Sequence, residues 1–200
     1  YFALARKSDD GGTVPKWMAV LAVAMGVVLA AVCAHSYMMA ARPVWDCVLE
    51  VLSIVGAACI LGPATCAIVM AVKGDVLDAV GLPALAGSVI GAVTSVAYAA
   101  FIQMSGSAFT QVGYYFDPTV PTKEMVDAAA TAGGQVPLLW VGAVIVGAAV
   151  PLVCCVLARK KGDAAGWKLF GGVAVAAALV GAVCLRVAFY NMGMSVFMFY

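Results

Sequence analysis

The chain has 200 residues, 65% hydrophobic and 10% charged, with a formal net charge of +1 and a mean hydropathy of +1.06. Soluble globular chains are about 45–50% apolar and about 25% charged, so a soluble fold of this composition would leave large apolar patches facing water. That excludes a soluble enzyme and a disordered tail, and the near-neutral charge without a basic stripe excludes a nucleic-acid binder. The composition defines an integral membrane protein.

The opening Tyr1-Phe2-Ala3-Leu4 runs straight into charged residues. A secretory signal needs a basic stretch, an apolar run and a small-residue cleavage site, and none is visible. These residues read as the tail of a helix that begins further upstream, so an earlier part of the protein is expected.

A helix crossing a ~30 Å hydrocarbon core needs about 20 mostly apolar residues. Five segments qualify, over residues 17–39, 48–72, 79–104, 137–158 and 167–190. The predicted fold is all-α: one membrane domain over residues 1–200, built as a polytopic helix bundle. Continuous apolar runs without in–out alternation exclude a β-barrel. Gly87 and Gly91 give the third span a small-xxx-small face suited to close packing, while Gly62-Pro63 falls in the middle of the second. Residues 105–136 form a long loop with Tyr114, Tyr115 and Asp117, then a short predicted helix from Thr122 to Ala130. Long loops are often functional or interfacial, so this one is either a cover over the helix ends or a docking surface for a partner.

Basic residues in the loops set the orientation. Arg6, Lys7, Lys16, Lys73, Arg159, Lys160, Lys161 and Lys168 fall on one side, against Arg42 and Lys123 on the other. This predicts a cytoplasmic N-terminus and a C-terminus outside.

Several chemistries are absent from the sequence. A single His cannot form a bis-His haem site from these residues alone. The seven Cys show no C-x-x-C spacing, and all but Cys47 lie within apolar runs, as packing thiols do. No phosphate-binding loop, zinc-protease helix or nucleophile elbow is present.

The positive signal is a set of ionisable residues at one depth. A charge at mid-membrane costs about 2.5–3.5 kcal/mol on insertion scales, so such residues are uncommon and often functional. Arg186 lies 18 residues beyond Lys168, His35 lies 19 beyond Lys16, and Asp46 and Glu50 begin the second span. All fall near the outer boundary. Each has an ordinary explanation. Arg186 either snorkels, pairs with Glu50 or serves a ligand; His35 is an interfacial imidazole or a proton acceptor. Asp46 reads as a solvated helix-start residue beside an interfacial anchor, Trp45, and Tyr37 and Tyr190 read as an aromatic belt or a ring-stacking site. Together, acid, base and aromatic groups would suit a lipid-soluble quinol that sheds two protons as it gives up its electrons.

The residues Arg186-Val187-Ala188-Phe189-Tyr190, followed by Met194-Ser195-Val196, resemble the end of the last helix in the membrane anchor subunit of dimethyl sulfoxide reductase, the DmsC family. Tyr37, Pro43-x-Trp45 and the later Gly62-Pro63 resemble that family's central loop and next span. The matches cover the first two helices and the last; the third and fourth fit by hydrophobicity and position. The resemblance implies an eight-helix protein of the cytoplasmic membrane, of which this chain would hold the last five helices. It implies an anchor without haem or iron–sulfur cluster of its own, which oxidises menaquinol in anaerobic respiration. The partners it implies are an iron–sulfur electron-transfer subunit and a molybdopterin catalytic subunit. Arg186, Phe189 and Tyr190 sit on the motif and are candidate quinol-binding residues; His35 and Glu50 join them from depth alone. Tyr114, Tyr115 and Asp117 are the candidate docking residues for the iron–sulfur partner. On this view Arg186→Leu lowers quinol-dependent reduction and leaves the complex assembled. The competing readings are a transporter, and an NrfD or cytochrome b-type quinol-oxidising anchor whose haem ligands come from missing helices.

Overall fold

A computed structural model describes residues 15–40, 42–74, 78–105 and 128–193. Among these residues there is no strand, and five helices are long and apolar enough to cross a membrane. They are α1 (Lys16–His35), α2 (Val48–Lys73), α3 (Asp78–Ser105), α4 (Ala129–Lys161) and α5 (Ala164–Asn191). The chain is a multi-pass all-α membrane protein.

Local chemistry sets the ends. Helix α1 stops at His35, four residues short of the predicted end, because the chain there turns back on itself. The Ser36 hydroxyl donates to the Cys33 carbonyl and the Tyr37 amide to that of Ala34, which carries Tyr37 towards the core. Cys47, not Asp46, caps α2: its backbone is extended and its sulfur accepts the Leu49 N–H. Gly74 ends α2 with φ +79°, a conformation only glycine adopts without a steric penalty. Asp163 caps α5 by accepting the Gly166 N–H at 2.7 Å.

Gly62-Pro63, placed mid-span by the sequence, does not break α2, which runs unbroken through it. Helix α4 begins earlier than the expected Pro137, because residues 128–134 are already helical. The predicted short helix thus extends to Gly134, and its first half, with Thr122, lies outside the described residues, as do Tyr114, Tyr115 and Asp117. Within α4 the turns over Pro137–Ala149 are π-helical, the Val150 N–H reaching back to the Ile145 carbonyl. Prolines at 137 and 151 bracket this stretch and cannot donate to the ladder.

Packing follows residue size. The small-xxx-small face of α3 meets α2 closely: a Cβ at Gly87 would overlap the Cys59 carbonyl oxygen, and one at Gly91 would overlap Ile60. Gly147 of α4 and Gly181 of α5 pack backbone to backbone. Without water between helices, association rests on such close van der Waals contact. Two buried clusters complete the packing. One cluster holds Trp45, Tyr98, Ile102, Leu139 and Phe189, and the other Cys154, Cys155, Ala158 and Trp167. Trp45, expected as an interfacial anchor, is a core residue only 7% exposed. Valines and leucines around the outside stay exposed on every long helix, as a lipid-facing surface requires. Helix α1 is the least covered of the five; Ala34 is its buried residue.

Candidate functional site

The cluster around Phe189 gathers buried residues from α3, α4, α5 and the connection between α1 and α2, with Leu49 of α2 packed against it. The Trp45 and Phe189 rings are stacked at 4.7 Å with 9° between their planes, and the Trp45 indole N–H donates to the Phe189 carbonyl at 2.9 Å. The Arg42 guanidinium lies 4.1 Å from the Trp45 ring and that of Arg186 lies 5.0 Å from Phe189, so cations flank the stacked pair. Gly193 leaves the room: a Cβ there would strike the Trp45 ring. Tyr37 meets Phe189 and Tyr190 edge-on, and its hydroxyl is 3.3 Å from that of Tyr190. Tyr98 reaches across from α3 and donates to the Val44 carbonyl.

Beside this stack, Arg186 of α5 donates from Nη1 to Glu50 Oε1 of α2 at 2.6 Å. The burial is unequal. The Glu50 side chain is fully buried, whereas 32% of Arg186 remains exposed. Glu50 Oε2 is buried and has no hydrogen-bond partner. A buried carboxylate loses its hydration, and here a single charged donor offsets that cost. The guanidinium has five N–H donors, so the pair leaves most of its hydrogen-bonding capacity open.

Below the ion pair, a cleft of about 120 Å³ lies among α2, α3, α4 and α5. Ser53, Ala57, Gly147 and Ala182 are among its small lining residues, and Arg186 closes one end. Gly147 belongs to the π-helical stretch of α4, which brings a widened turn to the cleft wall.

Of the five residues expected to share a site, the fold brings four together: Arg186, Glu50, Phe189 and Tyr190. The side chains of Phe189 and Tyr190 play unlike parts, for Phe189 is fully buried and Tyr190 is 54% exposed. His35 stands apart from them. It is exposed, and among the described residues its polar contact is Met38, with Nδ1 3.3 Å from the thioether sulfur. The sequence reading missed the cleft and the part played by Tyr98. Their signals were weak: alanine, glycine and serine at helical spacing occur on every span, and Tyr98 looks like any mid-helix aromatic. No group of three His, Cys, Asp or Glu side chains that could hold a metal ion occurs among the described residues.

Tyr37 lies in the connection beyond α1, and its hydrogen bond with Tyr190 holds its phenol above the usual tyrosine range. Removing that bond by Tyr190→Phe is expected to bring the Tyr37 ionisation down towards the ordinary value of about 10. Tyrosine-labelled NMR across a pH series checks this; a Tyr37 midpoint unmoved by the substitution would show that the hydroxyl pair is not formed.

The chain matches no protein-family model, and no curated protein or solved structure is significantly similar to it. The functional reading therefore rests on the geometry above and on the residue resemblance.

Proposed function

We propose that this chain is the quinol-oxidising membrane anchor of a respiratory oxidoreductase complex of the dimethyl sulfoxide reductase type. In this reading it lies in the cytoplasmic membrane with its N-terminal side inside and the Arg186 end of the bundle at the outer face. Menaquinol gives up two electrons and two protons and leaves as menaquinone. The electrons pass to an iron–sulfur subunit and from it to a molybdopterin subunit that reduces the terminal acceptor; the protons leave at the outer face. The observation that carries the proposal is the Glu50–Arg186 pair: a fully buried carboxylate with one unpartnered oxygen, held by a guanidinium that is one-third exposed. Quinol oxidation needs a donor for the carbonyl oxygens that replace the hydroxyls, and the open N–H groups of the guanidinium supply it while Glu50 holds it in place. Tyr190, 54% exposed, offers a ring and a hydroxyl beside the pair, and the buried Phe189 ring backs the guanidinium. The polar contact of His35 is with Met38 and not with these residues, so the proposed site is Arg186, Glu50, Phe189 and Tyr190. Tyr114, Tyr115 and Asp117 remain the proposed docking residues for the iron–sulfur partner.

The test is gentle detergent purification followed by two activity measurements. The protein is expected to carry an iron–sulfur and a molybdenum subunit with it and to show no haem in a reduced-minus-oxidised spectrum. The double variant Arg186→Leu/Glu50→Leu strands no buried charge. It is expected to lower quinol-dependent reduction about tenfold or more, the factor that loss of one charge-assisted hydrogen bond of about 1.5–3 kcal/mol implies. Reduction of the terminal acceptor by an artificial viologen donor, which bypasses the membrane subunit, is expected to persist. Full quinol turnover in the double variant, or a Soret band belonging to this chain, would overturn the assignment.

A further inference from the structure

We propose that the cleft beneath Arg186 is a ring-binding slot, taking the edge of a planar quinone-type ring with one ring oxygen against the guanidinium. This inference rests on the quinol reading above and adds where and how the ligand sits.

The cleft combines Arg186 and two serine side chains, Ser53 and Ser95, with otherwise apolar walls. Ser53 is its nearest hydroxyl on the α2 side, but that hydroxyl already donates to the Glu50 carbonyl at 2.7 Å. Ser95 of α3 brings a second hydroxyl to the lining, and Arg186 is the charged donor, keeping N–H groups free after bonding Glu50. Small polar groups fixing a ligand among apolar walls are the usual make-up of small-molecule sites. The volume limits what can enter. A dry apolar cavity of about 150 Å³ accepts one benzene ring, so about 120 Å³ admits part of a flat ring and excludes a bulky head group.

The walls explain why the space exists. Gly147 and Gly181 let α4 and α5 touch backbone to backbone, and alanines at 57, 143, 178 and 182 leave the volume beside that contact unfilled. Of the lining residues, Ile54, Ala57, Ala182 and Arg186 of α2 and α5 are partly exposed, as is Ser95 of α3, so the cleft opens to the bundle's apolar exterior with α2 and α5 supplying most of its rim. A ligand delivered from the bilayer would enter sideways there, with its tail left in the acyl chains. Glu50 does not line the cleft. It acts through Arg186 as a positioning residue, holding the guanidinium over the slot.

The experiment fills the slot without touching the ion pair. Ala57→Leu and Ala182→Leu, on different helices, are compared with the wild-type complex in equilibrium binding of radiolabelled 2-methyl-1,4-naphthoquinone. Unfolding midpoints are recorded alongside. Each substitution is expected to weaken binding roughly tenfold or more with the midpoint unchanged or raised. Quinol-dependent reduction is expected to show a raised KM with viologen-driven activity intact. If the wild type binds the naphthoquinone and both filled variants bind it equally well, the slot is a packing void only and the quinol site lies elsewhere on the protein. If the wild type neither binds the naphthoquinone nor oxidises quinol, the parent reading falls with it. Should one variant fail to fold, the other decides, since the two sit on opposite sides of the mouth.

Discussion

Arg186→Leu is expected to destabilise the bundle by about 3–5 kcal/mol, the loss seen when one partner of a buried ion pair is removed. The cause is the unequal burial. Arg186 keeps 32% of its side chain at the surface, but Glu50 keeps none, and without the guanidinium its carboxylate is left buried with both oxygens unpaired. The single variant therefore mixes a structural effect with any functional one, which alters the expectation of unimpaired assembly drawn from the sequence. Arg186→Leu/Glu50→Leu removes both charges. Replacing a buried pair with apolar residues of similar bulk is often neutral or stabilising, so the double variant is expected to recover most of the loss. Unfolding midpoints in a single detergent, by heat or by denaturing surfactant, measure both. A double variant as unstable as Arg186→Leu would show that stranded charge is not the cause.

The second large effect is expected at the helix crossings. Gly87→Ala directs a methyl group into the Cys59 carbonyl oxygen, and Gly181→Ala directs one into the Gly147 backbone. Neither obstacle is a side chain that can change rotamer, so the helices must move apart, at a cost of about 1–3 kcal/mol. Gly172 and Gly26 serve as internal controls, because a Cβ at either meets open space. Alanine there is expected to be neutral or to gain about 0.5–1 kcal/mol, since glycine in a helix loses more backbone entropy on folding. Gly87→Ala and Gly181→Ala behaving like these controls would rule out the close crossings.

These two cases show what composition and spacing reveal. Five spans were legible because burial in lipid demands long uninterrupted apolar runs, a pattern that needs no tertiary information. Gly87 and Gly91 advertised a packing face, since a glycine pair four residues apart on an apolar helix has few other uses. The helix boundaries were less legible. The end of α1 depends on where Tyr37 finds a partner, and that partner is Tyr190, 153 residues away in sequence. Trp45 was misjudged for the same reason. A tryptophan beside Arg42-Pro43 looks interfacial until Phe189 and Gly193 are seen to form its pocket. The π-helical turns of α4 left no trace in the hydrophobic pattern, because adding one residue to a turn leaves an all-apolar face apolar.

The sequence by itself determined the membrane setting, the all-helical class, the number of apolar helices long enough to span and the places of Arg186 and Glu50 near the ends of theirs. Each follows from local properties: run length, charge cost and distance from a helix end. The tertiary structure alone decided that Arg186 and Glu50 touch, that His35 does not join them, and that small residues from four helices surround a cleft below. A span fixes how deep a residue lies, but the rotation of each helix about its axis fixes which neighbour it faces, and that rotation is set by the glycine contacts between helices.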